Sequence, residues 1–77
     1  MNNQANYQFI LEETLSVLRE RAEQMKPTTA YEEGRLMGYY EILSESLNQA
    51  HILGLEANDI GLKGFNPDIL LKKPHAA

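Results

Sequence analysis

Between Tyr7 and Met25 the apolar positions Leu11, Leu15, Leu18, Ala22 and Met25 recur in alternating steps of four and three. That interval keeps side chains on one face of a helix that turns about 100° per residue. A second line, Tyr7, Ile10, Thr14 and Val17, runs beside the first, and Glu12, Glu13, Ser16, Arg19, Glu20 and Glu23 fill most of the remaining surface. The pattern predicts an amphipathic helix from about residue 6 to 26, with Asn3 or Asn6 available to cap its polar start. Pro27 ends it, because proline disfavours helical backbone in the residue before it and has no N–H of its own.

A second helix follows at once. Thr29-Ala30-Tyr31-Glu32 is a capping-box pattern: the Thr29 hydroxyl accepts from the Glu32 amide while the Glu32 carboxylate reaches back to the Thr29 amide. Leu36, Tyr40, Leu43, Leu47 and Ala50 then repeat the three-four spacing, flanked by Tyr39, Ile42 and Leu53, which predicts a helix over about 30–53. Gly54 followed by Leu55 matches a left-handed Schellman ending with its apolar partner. The connection over residues 26–29 is short, and short connections make neighbouring helices antiparallel.

Beyond Leu55 the rhythm breaks into shorter units, a segment of about 55–73. The stretch from Glu56 to Leu62 predicts one helical turn closed by Gly61, and Gly64 interrupts the chain again. Asn66-Pro67-Asp68 restarts a helix with a capping residue, a proline at the first helical position and an acid in the first turn. Ile69, Leu70 and Leu71 follow, then Lys72-Lys73 and the terminating Pro74. Ile60, Leu62, Phe65 and Leu70 are too many apolar anchors for a free tail, so the segment is expected to dock on the hairpin, across a dimer or on another protein. Phe65, Ile69, Leu70 and Leu71 are the candidate docking residues, in the format of a helix that lies in an apolar groove.

Composition raises the question of what completes the core. A chain of 77 residues buries only about 60% of its unfolded surface. Without cysteine and with two histidines, it has neither a disulfide nor the ligand set of a structural zinc site to compensate. Both helices carry double-width apolar stripes, wider than one facing helix covers. The predicted fold class is therefore all-α, an antiparallel helical hairpin with a short C-terminal helical segment, completed as a homodimeric four-helix bundle. Its expected interface is Leu11, Leu15, Leu18, Gly34, Leu36, Gly38, Tyr40, Leu43 and Leu47. Gly34 and Gly38 enter that set because two glycines inside a helix each cost about 1 kcal/mol, which close approach of a neighbouring element would justify. The alternative is a monomer whose segment after Leu55 folds back as a third layer.

Charge narrows the partners. Residues 1–56 carry nine glutamates against Arg19, Arg21, Lys26 and Arg35, a balance of −5, while Lys63, Lys72 and Lys73 against Asp59 and Asp68 leave the remainder at +1. An acidic hairpin repels phosphates, so nucleic acid is not an expected partner. No apolar run approaches a membrane span, and the first ten residues lack the basic and apolar regions of a signal peptide, so a cytoplasmic setting is expected.

Catalytic chemistry finds little footing. Glu41 and Glu45 with His51 lie on the polar side of the second helix, without the Glu-x-x-His pair of carboxylate metal bundles. No phosphate loop, nucleophile elbow or zinc-protease motif occurs, and no cofactor or metal is expected. The sequence therefore favours a non-catalytic, homo-oligomeric interaction or adaptor protein, with a possible further protein partner. A small-molecule binder or minor enzyme with its site at the dimer seam near Tyr31, Gly38, Tyr39 and Tyr40 is the alternative.

Overall fold

The computed structural model describes residues 3–72, and the predicted Lys73 and Pro74 ending lies outside them. Helix α1 (Asn3–Gln24) and helix α2 (Ala30–Ile52) form the hairpin, followed by a single 3-10 turn (Ala57–Ile60) and a short helix α3 (Asp68–Leu71). No strand is present among the described residues. Helix α1 starts earlier than predicted, so Asn6 is interior rather than a cap, and its last turn tightens at Met25, whose amide donates to Ala22.

Local chemistry accounts for the ends of α2. Thr29 sits in extended backbone and its hydroxyl accepts from the Glu32 amide at 3.1 Å. The return contact differs from the expected box: the Glu32 carboxylate accepts from the Thr28 amide at 3.2 Å, one residue before the cap, and from the Thr28 hydroxyl at 2.6 Å. At the other end Gly54 is left-handed (φ 76), and the Gly54 and Leu55 amides donate to His51 and Ala50 at 3.0 and 2.8 Å. This is the Schellman pairing that Gly54 predicts.

Core positions recur at intervals of seven: Leu15 and Ala22 on α1, Leu36, Leu43 and Ala50 on α2. The C-terminal segment adds Ile60, Leu62, Phe65 and Leu70. It docks on its own hairpin, and four of the nine core residues belong to it. Arg19 fixes the segment by donating to the Lys63 carbonyl at 2.6 Å while its guanidinium lies 5.0 Å from the centre of the Phe65 ring. Gly61 makes the closest approach. It is left-handed (φ 81), and a Cβ there would collide with the Glu12 carbonyl.

The close packing expected at Gly34 and Gly38 is not found within the chain. A Cβ at either would meet no atom within 4 Å. Both stand on the side of α2 turned away from the hairpin seam, whereas the tight backbone contact falls at Gly61, in the segment that crosses α1.

Candidate interaction surface

The C-terminal segment touches α1 at Glu12 and Arg19, which lie on one flank of the Leu15 and Ala22 line. On a helical wheel Tyr7, Leu11, Thr14 and Leu18 fall on the other flank. Tyr7, Leu11 and Thr14 there stay exposed, while Leu18 packs partly on the core. Between that flank and α2 runs a trough of about 540 Å³, walled by Leu11 and Leu15 of α1, Ile42 and Ala50 of α2 and the capping Leu53, and closed at one end by Leu55 and Ile60. Glu41, Glu45, Ser46 and Gln49 form its polar rim. A smaller depression of about 350 Å³ continues it past Leu11 to Tyr7, Gln8 and Asp59.

Leu53 is 73% exposed, Tyr7 68%, Ile42 52% and Leu11 46%. Singly exposed apolar residues are ordinary, but a contiguous set along one trough is characteristic of contact surfaces. The rim is held in helical register by local bonds: Gln49 donates to Glu45 at 2.8 Å, and the Ser46 hydroxyl donates to the Ile42 carbonyl at 2.8 Å.

The expected interface residues divide sharply. Leu15, Leu36 and Leu43 are 4%, 8% and 0% exposed and belong to the chain's own core, which the C-terminal segment shares. Leu18, Tyr40 and Leu47 are half-buried against that core. Leu11 is exposed along the trough, Gly34 is exposed, and Gly38 is half-buried. Of the expected docking residues, Phe65 and Leu70 are buried in the core, whereas Ile69 and Leu71 are about half exposed.

No family model, curated protein or solved structure matches this chain.

The aromatic residues of α2 lie on different sides of the helix. Tyr31 is exposed, Tyr39 packs on the core with its hydroxyl accepting from Arg35 at 3.4 Å, and Tyr40 packs on another side of the helix; none lines the trough. Ile42 and Leu53 line the trough but stand outside the interface set read from the sequence. Their signal was present as the flanking stripe of α2, but only placement of the C-terminal segment shows which flank remains open. Among the described residues no group of three or more His, Asp or Glu side chains is arranged to hold a metal ion, and no helix is long and apolar enough to cross a membrane.

Proposed function

We propose that this chain is a non-catalytic interaction protein that acts as a homo-oligomer through the open face of its hairpin, in a cytoplasmic setting. The observation that carries this reading is the apolar trough that stays uncovered after the C-terminal segment has docked on the other flank. Shape supports it. The radius of gyration is 13.8 Å, against about 11.5 Å for a compact chain of this length. The accessible surface is 5709 Å², where a compact monomer of this mass exposes about 4,800 Å².

Sedimentation velocity across the micromolar range tests the proposal. The wild type is expected to sediment as a dimer or higher even oligomer, and Ile42→Lys as a monomer with unchanged helicity, because Ile42 is half exposed and a lysine head there reaches solvent in the single chain. A wild type that stays monomeric at high micromolar concentration overturns the reading.

The trough's volume also lies within the range of small-molecule sites. That favours, as second reading, an apolar ligand seated between Leu11 and Ile42 instead of the tyrosine seam. A monomer that binds a fluorescent apolar dye stoichiometrically, with binding lost in Ile42→Lys, is the result that selects it.

A further inference from the structure

The open stripe of α2 consists of Tyr31, Arg35, Gly38, Ile42, Glu45 and Gln49, in steps of four and three, the interval of helices that pair along their length. Ile42, Glu45 and Gln49 border the trough, and all six are exposed except the half-buried Gly38. We propose that the homo-oligomer's contact is an antiparallel pairing of α2 with α2 of a second copy, in which Arg35 meets the partner's Glu45 and Ile42 seats over the partner's Gly38. The proposal rests on the homo-oligomeric reading above and deepens it by naming the contact.

One two-fold axis, midway between Gly38 and Ile42 along the helix, produces every pairing. It sets Arg35 against the partner's Glu45 and the partner's Arg35 against Glu45, so the opposite-charge pair occurs twice. It sets the Ile42 side chain over the partner's Gly38, where the chain itself places no atom within 4 Å of a Cβ position. It also brings the exposed Tyr31 beside the partner's Gln49, an aromatic ring with a hydroxyl next to an amide. Isologous contacts require this kind of self-complementarity. Sliding the register by seven residues one way puts Ile42 against the partner's Glu45. Sliding it the other way leaves Glu45 facing Thr28 and Arg35 facing Gly38. The guanidinium of Arg35 is already steadied, 6.0 Å from the centre of the Tyr39 ring. The bare strip at Gly38, which weakens an isolated helix and has no use inside the chain, acquires one as the socket for Ile42.

Charge exchange tests the register. Arg35→Glu and Glu45→Arg each replace two attractive pairs with two repulsive ones, and each is expected to weaken the dimer about tenfold or more while circular dichroism stays helical. Mixed in equal amounts, the two variants are expected to form the heterodimer, since both of its pairs are again opposite in sign, and the double variant Arg35→Glu/Glu45→Arg is expected to regain the homodimer. Sedimentation and native mass spectrometry of a size-tagged mixture read all three. A dimeric wild type whose single variants dimerise undiminished, or whose folded single variants do not recombine, overturns this register and leaves self-association standing. A monomeric wild type overturns both.

Discussion

Gly61 carries two constraints at one residue. Its φ of 81 lies in the left-handed region, and its missing side chain is what lets the segment after Ile60 cross the α1 backbone at Glu12. Alanine there must both adopt strained backbone and push two backbones apart, neither of which a rotamer change relieves. Gly61→Ala is expected to cost about 2–3 kcal/mol, which for a domain of this size lowers the melting temperature by roughly 10–20 °C. A calorimetric scan checks it, with Gly64→Ala as control, since Gly64 has a similar φ of 70 but open space around it. The turn at Gly61 is legible in the sequence, because Asn58-Asp59-Ile60-Gly61 closes a turn by local rules. The crossing is not, because nothing near Gly61 in sequence names Glu12 as its neighbour. The same limit explains Gly34 and Gly38: glycines in a helix signal a bare surface, but not what lies against it.

At the scale of elements, the caps were the most legible features, since each is set within a few residues. The Thr29 start, the Gly54 ending and the turn closed by Gly61 all follow from short-range hydrogen-bonding chemistry. The start of α2 also carries a pH dependence. Bonds from the Thr28 hydroxyl and then the Thr28 amide, helped by the Thr29 hydroxyl and the charge of Arg35, hold the Glu32 carboxyl below its ordinary 4.5, against a smaller opposing effect of burial. A carboxylate whose pKa falls on folding adds stability that is fully present above the unfolded value and fades as pH drops through the folded one. Melting temperature is therefore expected to fall with acidification below about 4.5. Glu32→Gln should melt somewhat lower than wild type at neutral pH and show a shallower acid slope, read from paired thermal melts in a single buffer series. Identical slopes would place the acid sensitivity elsewhere.

For the whole molecule, the hairpin and its third segment share one core. A two-helix hairpin alone buries a single seam, and here Ile60, Leu62, Phe65 and Leu70 complete the core around Leu43, with Arg19 bridging from α1 to the Lys63 carbonyl and the Phe65 ring. The sequence allowed either a second copy or the segment after Leu55 to fill that layer, because periodicity reports the width of an apolar stripe but not its occupant. With the segment in place, the unfilled stripe is the opposite flank, so the proposed association would add to a folded core rather than substitute for it. Phe65→Ala separates these roles. Truncating a buried aromatic ring costs about 3–5 kcal/mol, while a chain of this length has about 4–12 kcal/mol in total, so a large share of the stability, from about a quarter to all of it, is at stake even though Phe65 lies outside the hairpin. The expected result is a broad, low-temperature melt whose midpoint rises with protein concentration, since the surviving folded state is the one the dimer binds. A sharp melt at the wild-type temperature would mean that α1 and α2 hold together without the segment, and that the partner copy supplies the missing layer after all.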